Sequence, residues 1–140
     1  MVEADTLKDA APREAARAID RAMALVRGDL LDEGGPFAVF EPAREAFRRR
    51  CVEALHWLGA HHRRGGDYAR AESALVRAIA IAPCDEETYM AAMKLYRTLG
   101  QSERLRRTYW DCRRALKAQQ GLTPSDSFEA VYRACLAGGP

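Results

Sequence analysis

The stretch between residues 58 and 83 limits the fold more than any other part of the chain. Gly66 and Asp67 are typical of a tight connection between two helices, because glycine ends a helix readily and aspartate caps the start of the next. Pro83 would then stop the second helix. Small or apolar residues occupy helical positions on both sides of the connection: Leu58, Gly59, Ala71, Leu75 and Ala78. The stretch therefore predicts two antiparallel helices in close contact.

The order of these residues is similar to that of a tetratricopeptide repeat, a helix–turn–helix unit of about 34 residues. The same offset matches four positions of the first unit to similar residues further on: Leu55 to Tyr89, His62 to Tyr96, Gly66 to Gly100 and Leu75 to Tyr109. At three other positions the same offset pairs unlike residues: Gly59 with Met93, Ala71 with Leu105 and Pro83 with Lys117. The second unit is therefore interpreted as a degenerate repeat.

Apolar residues at spacings of three and four predict further helices around this pair. Helices are predicted over residues 12–27, 41–64, 68–82, from Pro83 to Gly100, from Ser102 to Gly121, and after Pro124. The first helix has its inward face at Ala15, Ile19, Ala22, Met23 and Val26. No stretch alternates with the period of two that a strand requires. The sequence predicts an all-α, tetratricopeptide-like, right-handed α-α superhelix of about six helices.

The domain is predicted to span residues 12–137, after a frayed N-terminus over residues 1–11. Residues 28–40 are interpreted as an ordered loop with a mobile tip at 32–35, because glycine and proline interrupt the helical pattern there. Four apolar side chains would anchor this loop on the helices: Leu30, Leu31, Phe37 and Phe40.

Charge and cysteine content exclude some classes of function. The chain of 140 residues carries 22 Lys and Arg against 20 Asp and Glu, a balance that does not favour nucleic acid as a partner. Its basic clusters are interpreted as solvated helix faces: 48–50, 61–64 and 104–107. The four cysteines form no Cys-x-x-Cys pair, so a reducing, cytoplasmic location is expected. No apolar run suits a signal peptide or a membrane span, so no membrane partner is expected.

Catalytic and metal-binding patterns are missing from the sequence. Gly34 and Gly35 lack the strand, helix and lysine of a phosphate-binding loop. The serines have no placed histidine and aspartate partners. His56, His61 and His62 lack a third ligand at suitable spacing. We therefore expect no enzyme activity, no cofactor and no metal.

Several runs resemble the bacterial transcriptional activator domain, which occurs in regulators of antibiotic pathways of the SARP type. These runs are Arg27–Leu31, Phe40–Arg44, Gly66–Tyr68, Pro83–Glu87, Met93, Leu95–Tyr96, Leu99–Gly100, Tyr109, Leu116 and Gly121–Ser125. The resemblance covers residues 15–136. This chain departs from the family pattern at three places. Phe37 or Phe40 stands where the family commonly has a tryptophan, Ala82 stands where it usually has an aspartate, and Gln119–Gln120 stand where it often has a Glu-Leu pair. The departures leave the subfamily and the partner open.

The resemblance implies a protein-interaction or dimerisation module of a bacterial transcription regulator. In that family the domain follows a winged-helix DNA-binding domain. Only about ten residues precede the first predicted helix, so the chain is expected to be either a fragment of a larger regulator or a stand-alone adaptor. The expected partners are RNA polymerase, another regulator domain or a second copy of the chain, with no direct DNA contact.

Stacked repeats present the first helix of each pair on a concave surface, which predicts a peptide groove. Its lining positions are Glu53, His56, Ala60, Arg63 and Arg64 in the first unit, and Glu87, Met90, Lys94 and Arg97 in the second. Arg63, Lys94 and Arg97 could receive a carboxylate through charge-assisted hydrogen bonds. The competing interpretation is that the last helix or the loop over residues 28–40 fills so short a groove.

Two rival functions stay open. One is a tetratricopeptide adaptor unrelated to transcription, and the other is nucleic-acid binding through the arginine clusters, which would depend steeply on salt. Trp110 follows the inward Tyr109 and so is placed nearer the surface than Trp57. Packing in the core or against a loop is favoured for both tryptophans, whereas an exposed tryptophan would mark an interface.

Overall fold

A computed structural model describes residues 8–26 and 41–138. A helical turn at residues 8–10 precedes six helices, and the described residues include no strand. We number the helices α1 (Pro12–Leu25), α2 (Glu41–Arg64), α3 (Tyr68–Ile81), α4 (Glu86–Thr98), α5 (Ser102–Gln120) and α6 (Asp126–Ala137). The all-helical prediction is confirmed. The predicted loop over residues 28–40 and most of the predicted frayed start lie outside the described residues.

The two predicted repeats end their first helices in the same way. Gly66 has a φ of +76° and Gly100 a φ of +68°, the left-handed conformation that glycine adopts without a Cβ clash. At the first connection the Asp67 amide donates to the His62 carbonyl, and at the second the Gln101 amide donates to the Tyr96 carbonyl. Each residue lies 34 positions after its counterpart, so the repeat is present in the backbone hydrogen bonds.

Two clusters of buried side chains hold the helices together. The first joins α1, α2 and α3: Ala16, Ile19, Met23, Cys51, Leu55, Leu58, Ala74 and Ala78. The second joins α3 to α6, and its largest members are Leu75, Tyr89, Met93, Leu95, Tyr96, Leu105, Tyr109, Leu116 and Phe128. Helix α3 belongs to both clusters because its small and apolar residues occupy two faces. The pairs therefore stack in the order of the chain, as repeats do.

Polar contacts join α3 to its neighbours in addition to the apolar packing of the two clusters. The Arg77 guanidinium on α3 donates to the Met23 carbonyl at 2.5 Å, near the C-terminal end of α1. A cation there also compensates the negative end of the helix dipole. On the other side of α3, Glu72 pairs with Arg104 on α5 and accepts a hydrogen bond from the Tyr96 hydroxyl. These contacts lock α3 between its neighbours.

Two predicted inward positions, Ala22 and Leu136, are wrong, and Trp110 is exposed although packing in the core or against a loop was favoured for it. Ala22 is exposed and Ala16 is buried instead, because the face of α1 that packs in the first cluster includes Ala16 and not Ala22. Leu136 is 38% exposed, near the end of α6. Trp110 is 52% exposed, because its neighbour Tyr109 takes the inward position and successive helical residues point about 100° apart.

Gly59 offers a first prediction about the close contact between α2 and α3. A Cβ built on Gly59 would lie 3.5 Å from Leu75 and 3.6 Å from the Ala71 carbonyl oxygen, which is ordinary van der Waals contact. We expect Gly59→Ala to raise the free energy of unfolding by about 0.5–1 kcal/mol, since alanine loses less entropy in a helix. Gly59→Leu should instead lower it by about 1–3 kcal/mol through overpacking. Urea unfolding measures both, and a destabilised alanine variant would contradict the spacing.

Candidate protein-docking surface

Helices α4 and α6 pack side by side, and a side chain of α2 reaches α4, so the three helices form a row. Helix α4 packs on α5, which follows it, and also on α6, although α5 separates these two in the sequence. His56 on α2 reaches Thr88 on α4, and Ser125 at the start of α6 reaches Glu86 on α4. The first helix of each successive pair therefore contributes side chains to one common surface.

A polar joint connects α2 to α4 near the start of α4. His56 Nε2 donates to Thr88 Oγ1 at 2.5 Å, and this hydroxyl donates to Asp85 Oδ2 at 2.5 Å. The same histidine nitrogen lies 3.5 Å from the Asp85 carboxylate. The side-chain hydrogen bond from His56 is the main cause that lowers the pKa of Asp85, with a further contribution from Thr88 and against the effect of burial. Thr88 is fully buried at the centre of the joint, whereas the His56 and Asp85 side chains are partly exposed.

The Asp85 joint predicts a loss of stability in acid. Because folding lowers the pKa of Asp85, its ionised form contributes stability above the unfolded value of 3.8, and this contribution is lost as pH falls through the lower folded value. We expect Asp85→Asn to be less stable than the unmodified chain at neutral pH, with the difference shrinking below pH 3.8. Urea unfolding of both proteins at neutral pH and below pH 3.8 measures this difference in the free energy of unfolding. Asp9→Asn, at an exposed position, is the matched control and should show no such convergence.

A second joint connects α4 to α6. Glu86 accepts hydrogen bonds from the Ser125 amide at 2.7 Å and from the Ser125 hydroxyl at 2.5 Å. Ser125 is also the N-cap of α6, since its hydroxyl accepts from the Phe128 amide at 3.2 Å. One carboxylate at the start of α4 thus sets the position of the start of α6.

Three hollows follow one another along the row. The basic hollow, of 530 Å³, lies between α4 and α6, and its lining includes Arg63, Lys94, Arg97, Val131, Ala134, Cys135 and Gly138. The central hollow, of 370 Å³, is mostly apolar and is lined by His56, Trp57, Gly59, Ala60, Arg63, Ala71, Leu75, Ala91 and Leu95. The mixed hollow, of 490 Å³, includes Glu45, Arg48, Arg49, Glu53, His56, Asp85 and Glu87. Arg63 borders the basic and central hollows and His56 borders the central and mixed hollows, so neighbouring hollows adjoin.

The structure places the predicted groove residues unevenly along this surface. Arg63, Lys94 and Arg97 share the basic hollow, and His56 joins Glu53 and Glu87 in the mixed hollow. Ala60 lines the central hollow. Met90 is half-buried and packs against the second cluster, and Arg64 is exposed but lines none of the three hollows.

Sequence reasoning missed the contribution of α6. Val131, Ala134 and Cys135 form one wall of the basic hollow, so the last helix extends the surface and leaves a hollow beside it. The sequence did contain a signal for this contribution. First and second helices alternate along the chain, so α6 is the first helix of a third pair and belongs beside α2 and α4.

Comparison with known families gives one match. The model of the bacterial transcriptional activator domain matches residues 2–136. The chain belongs to this family. No curated protein and no solved structure gave a significant match to the chain. Membership assigns this bacterial transcriptional activator domain to transcription regulation.

The cysteines of the activator domain have the properties of packing residues. Burial raises the pKa of Cys112 to about 12 and also raises the pKa values of Cys51 and Cys84. These thiols therefore stay protonated at neutral pH, whereas the thiolate is the form that attacks substrates and binds metals. Over the described parts of the chain, no group of three His, Cys, Asp or Glu residues is placed to hold a metal ion.

Outside the row, the activator domain exposes one aromatic group on α5. The Arg113 guanidinium lies 5.2 Å from the centre of the Trp110 ring, and the Tyr109 ring meets Trp110 edge to face at 5.2 Å. Trp57, by contrast, is half-buried against the first cluster and stacks on His61. No helix in the described ranges is long and apolar enough to cross a bilayer.

Proposed function

We propose that the chain is a protein-interaction or dimerisation module of a bacterial transcription regulator in the cytoplasm, with a folded unit over residues 12–137. Family membership supports the role in transcription. The observation that carries the interaction role is the series of three adjoining hollows along α2, α4 and α6. In this proposal another part of the regulator binds DNA, and these helices contact protein and catalyse no reaction.

The proposed mechanism is docking of a second polypeptide along the row. A partner segment that follows the hollows meets an apolar middle at Gly59 and Ala91, with charged side chains at both ends. Apolar contact in the middle supplies affinity and the charged ends set direction and register. The partner would be RNA polymerase, another domain of the regulator or a second copy of the chain.

Blocking the central hollow tests the proposal. Ala60 is exposed and lines this hollow, so Ala60→Trp would fill it without disturbing a core. The chain is fused to an unrelated DNA-binding domain and placed upstream of a reporter promoter in bacterial cells, and its molar mass is measured by light scattering. We expect either reporter activation or a dimer, and loss of that property in Ala60→Trp.

A matched variant separates the surface from general damage. Ala69 is exposed on α3 and lines none of the three hollows, so Ala69→Trp should keep the property that Ala60→Trp loses. A monomer that fails to activate the reporter would overturn RNA polymerase and a second copy of the chain as partners, and leave only another domain of the regulator or an adaptor role unrelated to transcription. Equal loss in both tryptophan variants would remove the row as the docking surface.

A further inference from the structure

Charge along the row is polarised from one end of the helices to the other. The mixed hollow near the start of α4 has four carboxylates and two arginines in its lining: Glu45, Glu53, Asp85, Glu87, Arg48 and Arg49. The basic hollow near the ends of α2 and α4 has three cations, Arg63, Lys94 and Arg97, and no carboxylate. One surface therefore attracts anions at one end and repels them at the other.

The three cations of the basic hollow are available to a ligand. Their side chains are exposed, and within residues 8–26 and 41–138 no ion pair joins any of them to a carboxylate. They approach from two helices, Arg63 from α2 and Lys94 and Arg97 from α4. Unpaired cations that converge on one hollow form charge-assisted hydrogen bonds with an entering carboxylate.

The field of these cations reaches the wall on α6. Burial raises the pKa of the Cys135 thiol, while Arg97 and Lys94 act in the opposite direction. The Arg97 guanidinium also lies against Gly138, where an added Cβ would overlap it. The positive potential is thus directed into the hollow between α4 and α6.

The remaining wall of the basic hollow is apolar. Val131, Ala134 and Cys135 face the cations from α6, and the Ala134 side of the helix is exposed. A ligand that carries only negative charge would leave this wall without a partner, whereas an aliphatic side chain next to a carboxylate would cover it. The hollow therefore suits a segment with both properties.

From this arrangement we propose that the basic hollow binds a short acidic segment of a partner protein, in which a carboxylate contacts Arg63, Lys94 and Arg97 and a neighbouring aliphatic side chain packs on Val131. The proposal rests on the docking function above and names the chemistry of its partner. A nucleic acid fits less well, because its continuous phosphate backbone would meet the carboxylates of the mixed hollow, such as Glu53 and Glu87. A short acidic segment avoids that end.

Peptide binding with the complete chain tests the proposal. The probe is a fluorescent peptide with two adjacent glutamates beside a leucine and a free carboxyl end, and its partner carries glutamines and a carboxamide end. Fluorescence anisotropy at low ionic strength should give tighter binding of the acidic peptide. Lys94→Ala combined with Arg97→Ala should weaken that binding by about tenfold or more, the size of effect of one or more charge-assisted hydrogen bonds.

The control removes the same charge from another surface. Arg106 and Arg107 are exposed on α5 and line none of the hollows, so their double alanine variant should bind the acidic peptide as the unmodified chain does. Equal weakening in the two double variants, or equal affinity for the acidic and amide peptides, would overturn the proposal. Tighter binding of a single-stranded oligonucleotide, lost in the Lys94 and Arg97 variant, would assign the hollow to nucleic acid instead.

The docking function and the acidic partner can fail separately. Loss of reporter activation or dimerisation in Ala60→Trp, with unchanged peptide affinity in the Lys94 and Arg97 variant, would keep the docking surface and reject the acidic segment. Far-ultraviolet circular dichroism and thermal unfolding should be the same for every alanine variant, because all four substituted side chains are exposed.

Discussion

Phe128→Ala is expected to lower the free energy of unfolding by about 3–5 kcal/mol. Phe128 is fully buried, and its ring stacks on Tyr109 with 5.7 Å between centroids. Tyr109 in turn stacks on Tyr132 at 3.8 Å, so the three rings hold α6 on α5. Truncation leaves a cavity among these rings and loses the apolar contact of α6. Urea unfolding followed by circular dichroism measures the change.

The effect of Phe128→Ala should extend to the docking surface. Val131 and Cys135 on the same helix form a wall of the basic hollow, so a loosened α6 should weaken binding of the acidic peptide as well. Leu136→Ala is the control on the same helix, because Leu136 is 38% exposed and its truncation should cost far less. A stability loss for Phe128→Ala below about 1 kcal/mol would contradict the packing of α6.

Leu75→Ala is expected to cost about 2–5 kcal/mol. Leu75 is 6% exposed and belongs to the second cluster, and it also faces the α2 backbone at Gly59. With Leu95 it forms part of the central hollow. One side chain therefore supports the contacts of α3 with α2 and with α4, and its loss leaves a cavity between both pairs.

The neighbouring residue provides the control for Leu75. Val76 is 53% exposed on the same helix, so Val76→Ala should change the free energy of unfolding by no more than about 0.5 kcal/mol. Both variants remove methyl groups from α3, and Val76→Ala gains more helix propensity than Leu75→Ala because valine is β-branched. Similar losses for the two would show that α3 does not insert Leu75 between its neighbours.

The fold was largely predictable because its signals are local. Gly66 and Gly100 end helices in the left-handed conformation, and Pro12 starts α1 with a fixed φ, so each boundary depends on nearby residues. Which side chains of each helix point into the core was predicted less well. Trp110 and Leu136 lie next to or near inward residues, and a shift of one position around a helix turns a side chain from core to solvent.

The lining of the candidate surface was predictable in part. Arg63, Lys94 and Arg97 follow from the repeat offset, since their positions within each unit place them on the first helices. The joints of the row could not be predicted, because Glu86 and Ser125 are 39 residues apart and no local pattern pairs them. The same holds for Arg77 and Met23, which are 54 residues apart. A single sequence therefore allows helices to be predicted well, but not the polar side chains that pair over long distances in the chain.

The candidate docking surface depends on the row of α2, α4 and α6, and nuclear Overhauser effects in solution test this arrangement most directly. The row predicts cross-peaks between the His56 ring and the Thr88 methyl group, and between the Arg97 side chain and the α protons of Gly138. A helical chain that lacks both sets of cross-peaks, and shows α6 in contact with α1 instead, would contradict the row and the docking surface built on it.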